Sequence, residues 1–398
     1  MLEKSGNTPR LRLRLKHVAA GFIVGLTLIC LVTFQSSFSD QTGPLPGVSA
    51  VAETADRPSR PRIAQVTMLL DEAGQNPSYI RTVEGHRNYA AQHDYPIYVL
   101  EHPLTTQQAY WSKIYWLQEI IVGELAKTPE ERLEWLLWHD ADTVILNSAW
   151  KLESFLPPAM PEIDFILTKD FNGLNNGVFF IKVSATAAEY LSLVAAYHHY
   201  KPDVELFWPE QVAMQLTLNE TVEYHHRVVY MPQRFFDVYP GEAQPGDFLV
   251  HFAGYGDRNE AMLEWIERVE NSQYERWNRG PGTEEYEDRA MEITEFWHKV
   301  NHFRSISGQL NGTFYGEHNM SANMPDSLYQ AIAEFKDVCF FGTDEENMMF
   351  EALNRVEEEM EQGYHKSLPA ILSYNRAWKE EILLLDDPDS NTAASRSI

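Results

Sequence analysis

Two carboxylates separated by one residue, Asp140 and Asp142, directly follow the apolar run Trp135-Leu136-Leu137-Trp138-His139 of this 398-residue sequence. On an extended segment leaving a buried strand, side chains at i and i+2 point to the same side. Two hard oxygen ligands on one side suit Mn²⁺ or Mg²⁺, which can also take two phosphate oxygens of a ligand. Such a cation would act as a Lewis acid, neutralising charge on a departing nucleoside diphosphate. Asp-x-Asp pairs also occur in solvated turns and helix caps, so the apolar strand just before this one is what favours the metal reading.

Other polar groups could complete such a site. His251 follows the strand-like run Phe248-Leu249-Val250 and could add a third ligand through a neutral ring nitrogen, although a lone histidine is more often structural. Asn175-Asn176-Gly177 reads as a tight turn before a strand, since Asn and Gly tolerate positive φ. In that turn Asn175 or Asn176 could meet donor-sugar hydroxyls, with Asp170 accepting hydrogen bonds from the same sugar. Glu210 and Gln211 follow Trp208-Pro209, which places them near the positive end of a helix. An amide is too weak a nucleophile for covalent double displacement through Gln211. Lys113 could neutralise a phosphate, but its amphipathic helix also allows a solvated lysine. His198-His199 and His225-His226 read as solvated helix and loop residues, and Trp111, Trp116, Trp135 and Trp138 as core.

The elements that must position these groups alternate in type. Ile63 to Leu70, Tyr95 to Leu100 and Leu133 to Trp138 read as strands, with helices across Tyr79 to Gln92 and Ala109 to Leu125 between them. That order predicts a parallel α/β sheet with crossover helices, whose ligands bind beyond the carboxyl ends of the strands. Phe165 to Thr168, Gly177 to Lys182 and Phe248 to Phe252 are later strand candidates, with helices at Thr186 to Tyr200 and Pro209 to Leu218. Beyond about Glu260 the chain reads as helical and charged.

A net charge of −26 argues against a nucleic-acid or anionic-lipid surface, which would need clustered Lys and Arg. Residues 18–34 form an uncharged apolar stretch behind Arg10, Arg12, Arg14 and Lys16, which predicts a retained type II anchor, with a cleaved signal peptide as the rival. The resulting plan is a cytoplasmic tail (1–17), anchor (18–34), flexible stem (35–62), catalytic domain (63–265), acidic helical part (266–385) and disordered tail (386–398). Sequons at Asn219, Asn311 and Asn319 agree with a lumenal placement, and the two cysteines, Cys30 and Cys339, make no disulfide framework.

Taken in order, Tyr110-Trp111-Ser112-Lys113, Trp138-His139-Asp140-Ala141-Asp142-Thr143 with Asn147, the block Asp170 to Ile181, Glu210-Gln211 and His251-Phe252-Ala253-Gly254 resemble the motifs of a known family. It is the fungal Golgi family of retaining galactosyl- and mannosyltransferases, related to the plant xyloglucan xylosyltransferases. The resemblance implies a GT-A type, Rossmann-like mixed sheet flanked by helices, and a Mn²⁺-dependent transfer from UDP-galactose or GDP-mannose in an α linkage. The implied acceptor is mannan or an N- or O-glycan. The resemblance makes His251 a metal ligand with Asp140 and Asp142. It gives Asp140, Lys113, Asp170, Asn175, Asn176 and Gly254 to the donor, Gln211 to the β face of the sugar, and Glu210 to acceptor or sugar. Two features depart from the pattern: Asp94 stands where many relatives carry Gly, and an acidic helical tail follows the last motif. That tail motivates the alternative of a non-catalytic subunit in a Golgi transferase complex. A phosphohydrolase or a lectin-like binder is the third reading.

Overall fold

The computed structural model describes residues 62–70, 75–106, 108–315, 326–341 and, within 351–359, all but 353 and 357. The expected cytoplasmic tail and anchor, the stem as far as residue 61, the expected tail 386–398, the Asn319 sequon and the Asn311 and Cys339 side chains lie outside what is described. No helix among the described residues is long and apolar enough to cross a membrane.

The first half runs β1 (Ile63–Met68), α1 (Pro77–His93), β2 (Ile97–Leu100), α2 (Ser112–Leu125, entered through a 3-10 turn at Ala109–Trp111), β3 (Trp135–His139) and β4 (Thr143–Ile145). The second half runs β5 (Phe165–Asp170), β6 (Gly173–Lys182), α3 (Ala185–Tyr200), α4 (Pro209–Glu220), β7 (Val228–Tyr230), β8 (Leu249–His251), α5 (Arg258–Glu267), α6 (Glu284–Tyr315) and α7 (Asp326–Phe341). Six strands form one sheet in the order β2-β1-β3-β6-β5-β7, while β4 and β8 pair separately.

The sheet is mixed rather than wholly parallel. β1 is parallel to β2 and β3, but β6 runs antiparallel to both β3 and β5. Chain length decides this, because only two residues separate Asp170 from its cross-strand partner Gly173. A parallel return would need a crossover of a dozen residues or more. The same hairpin overturns the expected turn at Asn175-Asn176-Gly177: all three lie inside β6, and the positive-φ glycine is Gly173 at 102°. Sequence reading also missed the short strands β4 and β7.

Both faces of the sheet are covered, and the strands alternate between them. In β3, Leu136 and Trp138 face a core built with α2, α3 and α4. Trp135 and Leu137 face another containing Trp150, Phe155, Phe236 and Phe248. Buried on both faces, β3 reads as a continuous apolar run. Ile293, Phe296, Trp297 and Val300 of α6 belong to that second core, so the charged C-terminal helix covers the sheet with an apolar stripe. A third cluster holds the β4–β8 ribbon against α5 through Val144, Val250, Phe252, Met262 and Trp265.

Asp94 ends α1 in the left-handed region (φ 59°, ψ 35°), its N–H bonded to the Ala90 carbonyl. This is a position glycine occupies without a Cβ penalty, which accounts for the departure noted at His93-Asp94-Tyr95. The variant Asp94→Gly is expected to unfold at higher temperature, gaining on the order of 0.5 kcal/mol. A lower melting temperature would show that the Asp94 side chain contributes more than the backbone strain costs.

Candidate active site

Asp140 and Asp142 leave the end of β3 in a turn rather than on an extended segment, and β4 starts at Thr143. Helix α1 holds that turn from behind. The Thr82 hydroxyl lies 2.5 Å from the Ala141 carbonyl oxygen, and His86 Nε2 lies 2.9 Å from the Thr143 hydroxyl. That hydroxyl donates to the Asp140 carbonyl at 2.8 Å. The His86 and His139 rings stack at 3.6 Å, fully buried. Burial depresses both, His139 to about 4, so this pair stays neutral beneath the turn. His139 is therefore a support of the turn.

β4 pairs antiparallel with β8, putting Thr143 opposite His251, and the Phe252 N–H donates to the Asp142 carbonyl at 2.9 Å. One ligand atom from each of Asp140, Asp142 and His251 lies within 4.8 Å of the others. His251 Nδ1 is 2.8 Å from Asp237 Oδ1, and Asp237 Oδ2 accepts from the Thr168 hydroxyl at 2.6 Å. That leaves Nε2 aimed toward Asp142, 3.6 Å from Oδ1. Burial opposes protonation of His251, yet the carboxylates of Asp237, Asp142 and Asp140 prevail and raise its pKa to about 9. A pocket that favours positive charge between two carboxylates, with an imidazole oriented by a third, fits a divalent cation. Asp237 was not read as a site residue, because nothing in sequence ties it to His251.

Gly177 seats the histidine. A Cβ at this position would lie 2.0 Å from His251 Cε1, so the glycine is needed for close approach rather than for a turn.

On the other side of Asp140 stands Lys113. Contrary to the solvated alternative it is only 1% exposed, its Nζ 2.9 Å from Asp140 Oδ1 and 3.9 Å from Glu210 Oε1. It also donates to the Asn176 carbonyl at 2.8 Å. Consecutive strand residues face opposite ways, so the two asparagines serve different walls. Asn176 donates through its amide to Glu210 Oε1 (3.3 Å) and through its backbone N–H to Gln211 Oε1 (3.2 Å). Asn175 donates to Asp170 Oδ2 (3.2 Å) and to the Tyr239 hydroxyl (3.0 Å), which in turn donates to Asp170 at 2.6 Å. Burial and Asp170 both raise the Tyr239 pKa, keeping it a donor.

The structure thus brings Lys113, Asp140, Asp142, Asp170, Asn175, Asn176, Glu210, Gln211 and His251 into one linked set. Gly254 is different: it is exposed at φ 64° in the loop after β8, with nothing within 4 Å of a Cβ placed there. Arg258, at the start of α5, is an addition that sequence reading missed; its Nη1 lies 2.8 Å from Asp142 Oδ2. A cation seven residues beyond His251 was the available signal. Its role was hidden because it meets Asp142 only through the β4–β8 pairing.

The variant Gly177→Ala should fold with the ring of His251 displaced. Its affinity for Mn²⁺, read by calorimetry, should fall about tenfold or more, the loss typical of disturbing a ligand's support. Unchanged affinity would separate Gly177 from the histidine.

Residues 64–163 and 157–261 match the profile of the galactosyl transferase GMA12/MNN10 family. A protein of Schizosaccharomyces pombe named as an uncharacterized alpha-1,2-galactosyltransferase is 25% identical over 242 residues, covering 49% of this chain and 62% of the relative. The match therefore spans less than two thirds of that relative. Another from the same yeast, named "Probable alpha-1,2-galactosyltransferase gmh1", is 22% identical over 250 residues, covering 52% of this chain and 74% of the relative. Among solved structures, a glycosyltransferase involved in glycosylation of the major capsid of PBCV-1 aligns with a TM-score of 0.40 at 20% identity. It covers 50% of this chain and 99% of that one. The first matched stretch carries Lys113, Asp140 and Asp142, and the second carries Asp170, Asn175, Asn176, Glu210, Gln211, Asp237, His251 and Arg258. The chain belongs to the galactosyl transferase GMA12/MNN10 family.

Proposed function

We propose that this chain is a metal-dependent, retaining hexosyltransferase of GT-A type, moving galactose or mannose from a nucleotide sugar to a mannose-containing glycan in an α linkage. The observation that carries this reading is the convergence of Asp140, Asp142 and His251 beside a wall of short, mutually bonded amides and carboxylates. Family membership and relatives named as galactosyltransferases support it.

Asp140, Asp142 and His251 would hold Mn²⁺ or Mg²⁺, whose chemistry is to neutralise the diphosphate as it leaves. Lys113 is buried against Asp140 and keeps the carboxylate cluster from excess negative charge. Arg258 sits at a helix N-terminus where a phosphate is also favoured, so it can exchange Asp142 for the diphosphate. Asp170, Asn175 and Tyr239 present donors and acceptors fixed by one another, which suits recognition of sugar hydroxyls. Glu210 and Gln211 open α4 beside Asn176 and would flank the anomeric carbon. There the bond from C1 to the diphosphate oxygen breaks as the bond from the acceptor oxygen forms on the same face. The acceptor proton passes to the departing phosphate. No covalent enzyme intermediate is required of Gln211.

The basic residues before the apolar stretch 18–34 support a Golgi membrane placement with the folded part in the lumen. An intact, fully linked site favours the enzyme over the accessory-subunit alternative.

With Mn²⁺ present, calorimetry should find UDP- or GDP-sugar binding to the chain, and EDTA should abolish transfer. Absence of any nucleotide-sugar binding would refute the enzyme reading. Asp142→Asn should remain folded and lose transfer by about a thousandfold or more; activity retained in EDTA would refute the metal. Asp237→Asn, which removes the carboxylate behind His251, should weaken Mn²⁺ binding by about 10–100-fold without touching the ion itself.

A further inference from the structure

Phe207 and Trp208 are 77% and 52% exposed, and their ring centroids stand 5.1 Å apart, nearly perpendicular. They immediately precede α4, whose first turn holds Glu210 and Gln211. Phe171, at the tip of the β5–β6 hairpin beside Asp170, is 89% exposed. The two segments are neighbours. Gly173 of the hairpin backs onto the Gln215 side chain so closely that a Cβ there would sit 2.8 Å from its Oε1. Gln215 lies one helical turn beyond Gln211. Three large aromatic side chains therefore project into solvent from the two segments that carry Asp170, Glu210 and Gln211.

The nature of an occupant follows from charge and position. Asp203 and Glu205 are exposed beside the pair, and the chain as a whole carries −26. An anionic peptide, nucleic acid or lipid surface is disfavoured there. Aromatic faces rimmed by carboxylates match a neutral sugar, whose C–H face lies on the ring while its hydroxyls donate to the rim. A nucleobase also stacks on aromatics. Nucleotides bind in such sheets at the carboxyl ends of parallel strands such as β1 and β3, and β6 separates both from β5, the strand that leads to Phe171.

Building on the transferase reading, we propose that Phe207 and Trp208, with Phe171 on the adjoining hairpin, form the platform on which the acceptor glycan stacks. The platform lies next to the residues that would flank the transferred sugar, as an acceptor must.

The test compares the wild-type chain with Phe207→Ala/Trp208→Ala and with Phe171→Ala. Binding of α-linked mannotriose is read by saturation-transfer NMR, and donor affinity and donor hydrolysis in water are read separately with Mn²⁺. The double variant is expected to raise the mannotriose Kd and the acceptor KM about tenfold, with donor affinity and hydrolysis unchanged. Equal mannotriose binding by wild type and variant, or none by wild type, overturns the platform. Weakened donor affinity in the variant also overturns it, by assigning the rings to the nucleotide. If the wild-type chain binds mannotriose through these rings but binds no nucleotide sugar, the platform stands and the transferase reading falls.

Discussion

The short antiparallel ribbon of β4 and β8 is the contact on which the site depends. Three residues long on each side, it places His251 against the turn that carries Asp140 and Asp142. So brief a ladder would not hold alone. It is held from one side by α5, through Met262, Trp265 and Ile266, and from the other by α1, through Thr82 and His86. The apolar packing around it thus determines the electrostatics of the site.

Charge is concentrated here against the usual cost of burial. Asp237 is fully buried, and burial pushes its pKa up; His251 and the Thr168 hydroxyl pull it back. Lys113 is enclosed as well, and it is satisfied by Asp140, Asn176 and the ring of Trp138, 5.1 Å away. Each buried charge leans on its neighbours, so truncating one partner leaves an uncompensated charge and costs far more than the pair itself contributes. Such coupling keeps the side chains in place before any ligand arrives, the condition for electrostatic preorganisation.

The family match ends at residue 261, but the hydrophobic core does not. Phe296, Trp297 and Val300 of α6 cover the face of the sheet opposite α2, α3 and α4. The acidic composition of this region reflects its solvent side, while its apolar stripe completes the domain. Arg304 of the same helix donates to the Val228 carbonyl at 2.8 Å, tying it to the edge strand β7.

Local pattern alone determined the alternating strands and helices of the first half, the placement of Asp140 and Asp142 directly after a buried strand, and the helix start at Pro209. Apolar periodicity, turn chemistry and proline position act over a few residues and so are written in sequence. The ordered motif blocks added His251, Asp170, the two asparagines and Glu210-Gln211. The tertiary structure decided the remainder. β6 is antiparallel because a two-residue connection permits nothing else, and Gly177 is glycine because an imidazole from 74 positions away occupies the space of its Cβ. Asp237 meets His251 through the bridge of Val238 to Val250 in β8, and Arg258 meets Asp142 only when the β4–β8 ribbon closes. Pairings between residues far apart in the chain depend on how the core packs, and no short window of sequence records that.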